Sequence, residues 1–227
     1  PNHHIFWENL LANKNSIREI PSTRWNWQDH YSETVTPGKT VSKWGALIDN
    51  VDCFDASFFG ISNEEALATD PQLRLLLEES YHAVEDAGID MEKLAGSSTG
   101  VFIGYEYAEY EHHLRKLENK DITLGPLFSS SRPSYYLSSQ ISHTFDLCGP
   151  SESINVNCAS SAVAINRAYY SLLNGESDTA IVGAASLKLY VDDYVAASQY
   201  GSLSPNGTRC VFDNEANGFT RGEGVAV

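Results

Sequence analysis

The sequence predicts an α/β fold, and three stretches carry that prediction. Ile154-Asn155-Val156-Asn157 alternates like a strand, Ser160 to Asn174 is amphipathic at helical spacing, and Ala180-Ile181-Val182-Gly183-Ala184-Ala185 is apolar enough for a strand buried on both faces. Together they make a βαβ unit with a right-handed crossover. Thr99-Gly100-Val101-Phe102-Ile103-Gly104 adds a second buried strand ahead of it. Helical and strand-like stretches alternate instead of segregating, which points to helices layered on a mainly parallel sheet.

The elements follow in order. Ile5-Phe6-Trp7 with Leu10-Leu11 reads as a short helix with an aromatic face, ending near Asn13. Residues 12–50 are irregular, broken by Ile20-Pro21 and Pro37-Gly38 and punctuated by Trp25, Trp27, Tyr31 and Trp44. So long a loop is either a functional cover or a connection pinned to the core by its tryptophans. The clearest helix starts at Asp70, an N-cap, with Pro71 at the first helical position. Leu73, Leu76, Leu77, Tyr81 and Val84 form its apolar stripe, Glu78, Glu79, Glu85 and Asp86 the opposite face, and Gly88 its stop. Residues 105–120 look like a solvated helix, where His112 and His113, being adjacent, cannot share a face to bind a metal. From Ser160, the apolar positions Val163, Ile165, Ala168, Tyr169, Leu172 and Leu173 recur at helical spacing until Gly175 closes the helix.

Composition narrows the class. A chain of 227 residues with 42% apolar content can bury about 70% of its unfolded surface. That excludes a disulfide mini-protein, a coiled coil, a collagen and a disordered tail. The net charge of −15 repels phosphate and disfavours general nucleic-acid binding. The acid is uneven: residues 1–50 hold five charges of each sign, 51–125 hold 5 basic and 16 acidic, and 126–227 hold 5 and 9. The first fifty residues are therefore the least hostile surface for an acidic partner. Cys53, Cys148, Cys158 and Cys210 have neither metal-ligand spacing nor disulfide density, so free thiols in a reducing cytoplasm are expected. No stretch approaches the ~20 apolar residues of a membrane span. The start, Pro1-Asn2-His3-His4-Ile5, does not read as a signal peptide.

One cysteine stands where chemistry needs it. Cys158 falls between strand 154–157 and the helix from Ser160. The positive end of a helix and its unpaired amides favour a thiolate, the reactive form, and the same amides can receive the oxyanion formed when it attacks an acyl group. Ala159 and Ser160 are small enough to admit a substrate. The competing reading is a small buried apolar residue. For Cys53, Cys148 and Cys210, core or loop roles fit better. Of the seven histidines only His143 is a candidate base, and its surroundings, Gln140-Ile141-Ser142-His143-Thr144-Phe145, fit a packed residue as well. Gly218-Phe219-Thr220-Arg221-Gly222-Glu223-Gly224 does not link a strand to a helix, so no dinucleotide fingerprint is present. The chain stops inside Val225-Ala226-Val227, a strand-like start without an end, and a portion of a longer polypeptide is expected.

Several motifs stand in register along the chain. They are Phe6-Trp7-Glu8-Asn9-Leu10, Phe54-Asp55 with Phe58-Phe59-Gly60-Ile61-Ser62, and Asp70-Pro71-Gln72-Leu73-Arg74-Leu75. Gly149-Pro150-Ser151 through Cys158-Ala159-Ser160-Ser161 follows, then Leu203-Ser204-Pro205-Asn206-Gly207, Phe212-Asp213 and the glycine-rich 218–224. This series resembles the ketosynthase (beta-ketoacyl synthase) domain of modular polyketide synthases and related fatty acid synthases. The resemblance implies a thiolase-like fold layered α-β-α-β-α, of which residues 1–227 are the N-terminal half: 1–50 an entry helix and aromatic loop region, 51–227 the α/β core with the nucleophile.

By the same resemblance Cys158 accepts an acyl chain from the phosphopantetheine arm of an acyl carrier protein. A malonyl-type extender then loses carbon dioxide, and its carbanion attacks the thioester. The Cys158 amide is half of the oxyanion hole, and Ser160 and Ser161 line the helix start. No cofactor or metal of its own is implied. The implied partners are carrier protein, other polyketide synthase domains and a second copy, with 153–157 near the twofold axis and residues around 128–140 shaping the acyl tunnel. Carrier proteins are acidic, so docking falls to Lys14, Arg18 and Arg24. The catalytic histidines are expected after Val227, which leaves this portion alone inactive, with apolar sheet and helix faces exposed. The family usually has Asp-Thr-Ala before the cysteine, whereas Asn155-Val156-Asn157 stands here and Ala159 replaces a serine. Those departures keep three alternatives open: a non-elongating transacylase, a non-catalytic dimerising carrier-protein scaffold, and a thiol hydrolase.

Overall fold

The computed structural model describes residues 3–106, 109, 110, 114, 136–208 and 210–227. Most of the expected 105–120 helix, with His112 and His113, and most of the tunnel segment 128–140 lie outside the described residues. In chain order the elements are α1 (His3–Leu11), β1 (Arg18–Glu19), β2 (Trp44–Ala46), α2 (Asn63–Ala68), α3 (Pro71–Asp86), α4 (Met91–Leu94), β3 (Thr99–Tyr105), α5 (Leu137–Thr144), β4 (Ser151–Ile154), α6 (Ser160–Leu173), β5 (Thr179–Ser186), α7 (Asp192–Gln199), β6 (Arg221–Gly222) and β7 (Gly224–Ala226).

By packing, the described residues of 48–187 and 223–227 form one unit, and those of 1–47 and 188–222 another. Residues 188–222, which chain order groups with the core, thus pack with the first segment. In the smaller unit β1 runs antiparallel and β6 parallel to β2. Ile20, Val41, Leu47, Tyr194, Ala197 and Leu203 make its core, with Trp25 and Trp27 packed against it. Trp25 meets Tyr194 edge-on at 5.2 Å, so two of the loop's tryptophans act as packing anchors. Asp193 lies between two cations, accepting from Arg221 at 2.8 Å and standing 3.7 Å from the Lys188 ammonium.

The larger unit is a four-stranded sheet in the order β4-β3-β5-β7, parallel except for β7. β3 sits between β4 and β5, so the βαβ crossover read from the sequence straddles it. Along β3 alternate side chains take opposite faces. Val101 and Ile103 join Leu73, Leu76, Leu77, Leu137 and Ile141 of α3 and α5, while Phe102 meets Ala164 and Ala168 of α6. The result is three layers, helix, sheet, helix.

Local chemistry sets the boundaries. Asp70 Oδ1 accepts the Gln72 N–H at 2.8 Å, satisfying one of the open amides at the start of α3. Two expectations change. β4 ends at Ile154, so 155–157 leaves the strand: the Asn155 side chain accepts the Asn157 N–H, and Val156 makes only an isolated bridge to Cys158. α6 buries its small side, Ser160, Ala164, Ala168 and Ser171, against the sheet. Ile165, Tyr169 and Leu173 are 61, 58 and 64% exposed, leaving an apolar stripe facing outward.

Candidate active site

The turn from β4 to α6 spans 155–159. Asn157 takes φ +56°, the left-handed region that asparagine tolerates better than most side chains. Its N–H bonds Asn155 Oδ1 at 3.2 Å, and its carbonyl accepts the Ser160 N–H at 3.0 Å. Ser160 Oγ accepts the Val156 N–H at 3.0 Å and lies 3.0 Å from Tyr105 O and 2.7 Å from Asn157 O, one of which takes its proton. Cys158 follows Asn157 in this turn and is exposed. Ala159 caps α6 without a side-chain hydrogen bond. The thiol therefore precedes a helix start whose first amides have no intrahelical acceptor.

Two residues assigned to the helix start divide in role. The Ser160 hydroxyl is buried and committed to the turn, whereas Ser161 is exposed. His143 lies on α5, near whose end Ser142 Oγ meets Ser151 Oγ at 3.2 Å, while Ser138 meets Ser153 at 2.9 Å. That pairing carries exposed His143 to the amino end of β4, whereas Cys158 follows its carboxyl end. The four cysteines are free thiols, with Cys53 and Cys148 also exposed. Among the described residues no group of three or more metal-binding side chains gathers. No helix among them is long and apolar enough to cross a membrane.

Gly104 is the residue that sequence reading passed over. A Cβ there would lie 2.8 Å from both Ser160 C and Ser161 N, so only glycine lets α6 begin this close to β3. Its signal was a glycine directly after the bulky buried run Val101-Phe102-Ile103. Glu106, just beyond β3, adds a second link. Its carbonyl accepts from Asn155 Nδ2 at 2.9 Å, and its carboxylate accepts from Ser186 Oγ at 2.9 Å.

A mainly parallel sheet covered by helices on both faces, with an exposed thiol at a strand-to-helix turn, has the layout of the thiolase-like fold. The chain belongs to the beta-ketoacyl synthase family: the family's N-terminal domain matches it over residues 1–227. It is 40% identical over 227 residues to the phthioceranic/hydroxyphthioceranic acid synthase of Mycobacterium tuberculosis H37Rv, covering 98% of this chain and 10% of that one. Among solved structures, the module 6 ketosynthase of the Bacillus subtilis 168 bacillaene synthase superposes with TM-score 0.83 at 34% identity, over 98% of this chain and 36% of that one. An oxazolomycin ketosynthase domain from Streptomyces albus JA3453 gives 0.90 at 30% identity, over 97 and 38%. The chain thus spans about a tenth of the curated relative and just over a third of each solved ketosynthase.

Proposed function

We propose that this chain supplies the acyl-accepting portion of a polyketide synthase ketosynthase. The Cys158 sulfur attacks the thioester carbonyl of an acyl chain carried on phosphopantetheine. The carbonyl oxygen takes the negative charge beside the Cys158 amide, the carbonyl re-forms, and the phosphopantetheine thiol leaves with the proton. A malonyl-type extender on a carrier protein then loses carbon dioxide, and the resulting carbanion displaces Cys158 to give a chain two carbons longer. The single observation that carries this reading is the exposure of Cys158 on the bend in front of α6.

Carrier protein, a second copy and other synthase domains are the proposed partners. β4 lies at the end of the sheet order, and an edge strand of this kind is open to pairing with a second copy. The outward apolar side of α6 is suited to the remaining layers of the fold. Of the docking candidates, Lys14 is exposed, while Arg18 bonds the Leu47 carbonyl and Arg24 the Lys188 carbonyl, which ties both to their own unit.

The test supplies the full synthase with acyl-carrier and malonyl-carrier proteins and follows bound chains by mass. Loading followed by a two-carbon extension is the expected result. Loading without extension would support the transacylase reading, for which the Asn155-Val156-Asn157 stretch is the motivating feature. Absence of any loading would favour a scaffold.

A further inference from the structure

We propose that Asn155 is a positioning residue for Cys158, a role that rests on the reading of Cys158 as the acyl acceptor. The strand ends at Ile154, and the next side chain turns back to bond in two directions. Its Nδ2 donates to the Glu106 carbonyl at 2.9 Å, and its Oδ1 accepts the Asn157 N–H at 3.2 Å. Glu106 is itself held by Ser186, so residues at the carboxyl ends of β4, β3 and β5 are linked in series through one amide. The final link is Asn157, whose left-handed backbone sets the direction in which the next residue, Cys158, leaves the turn.

The chemistry of the pairing selects an amide. Only a donor can face the Glu106 carbonyl, and only an acceptor can face the Asn157 N–H. An ionised aspartate, the usual residue at this position in the domains this sequence resembles, offers acceptors alone. The start of α6 has its own anchor in Ser160, whose Oγ accepts the Val156 N–H and lies 3.0 Å from the Tyr105 carbonyl. Changing Asn155 therefore loosens the residues between strand and helix while both elements stay in place. A misplacement confined to the thiol affects the reaction much more than the fold.

The experiment uses the full synthase and its Asn155→Asp and Asn155→Ala variants. Acyl transfer from an acyl-carrier protein gives kcat and KM per folded molecule. Iodoacetamide labelling, mapped by peptide mass, gives the alkylation rate of Cys158, with exposed Cys53 and Cys148 as internal references. The expected result is a kcat lower by about tenfold or more in Asn155→Ala. A smaller loss is expected in Asn155→Asp, which keeps the acceptor. KM stays within about twofold, the Cys158 alkylation rate changes, and the two reference rates do not. A kcat and a Cys158 alkylation rate in Asn155→Ala both within twofold of the parent would overturn the proposal. So would losses matched by loss of folded protein. Should Asn155→Ala not fold, parent-like kcat in the nearly isosteric Asn155→Asp overturns it equally. A parent that alkylates at Cys158 but never acylates there refutes the acyl-acceptor reading instead, and the alkylation comparison still decides the role of Asn155.

Discussion

Replacing Gly104 with alanine puts one methyl group between β3 and the start of α6. The new carbon would sit 2.8 Å from Ser160 C and Ser161 N and 2.9 Å from Ser160 O, all backbone atoms that cannot swing aside. An ordinary carbon contact is ~3.5–4.0 Å, so the helix start must retreat by about 0.7–1.2 Å. Overpacking of this kind costs ~1–3 kcal/mol. The same retreat stretches the 3.0 Å Ser160–Tyr105 link beyond hydrogen-bond length and drags the Cys158 turn with it. A displacement near 1 Å at a reacting atom can cost about 100-fold in rate. The assay is kcat for acyl transfer by the full synthase, with thermal melting on the same preparations. A Gly104→Ala variant with an unshifted melt and a rate within twofold of the parent would refute the close-approach argument.

Three further outcomes are expected, their stability changes read from melts of the full ketosynthase. Asp70→Ala removes the 2.8 Å cap on Gln72 and should cost ~1 kcal/mol, without a change in acyl-transfer KM. Arg167 donates to Glu152 through two nitrogens and holds its carboxyl below the usual glutamate range. That stabilisation is present above the ordinary glutamate value and fades as pH falls through the lowered one. Glu152→Gln should therefore cost under ~1 kcal/mol at neutral pH, since both side chains are partly exposed, and nothing in strong acid. Burial pushes the Glu78 carboxyl up, against the opposing Asp55 N–H. Its contribution is thus fullest in acid and is lost as pH rises, so Glu78→Gln should gain stability relative to the parent between acidic and neutral pH.

How much was legible follows from where the physics is local. α3 was readable to the residue because Asp70, Pro71 and Gly88 act within one turn of their own positions. β3 and β5 were readable because continuous apolar runs admit few other uses. β4 was misplaced because Ile154-Asn155-Val156-Asn157 mimics the period of a strand, while the Asn155 side chain accepts the Asn157 N–H and Asn157 takes a left-handed backbone. The periodicity of α6 located the helix but not its inner face: the sheet lies against Ala164 and Ala168, while Ile165 and Tyr169 point away. Cys158 stood out as a candidate because it directly precedes the amphipathic helix, although the strand before it ends at Ile154. Gly104 and Glu106 did not, since they reach residues 155–161 only through the pairing of β3 with β4.

The central claim is that one sulfur, and not its three fellow thiols, takes up the acyl group. The direct measurement is peptide mapping of the full synthase after incubation with an acyl-carrier protein and quenching in acid. The expected result is a thioester mass on the peptide holding Cys158, absent in Cys158→Ala. An acyl group found on the peptides of Cys53, Cys148 or Cys210, or retained in full by Cys158→Ala, would contradict it.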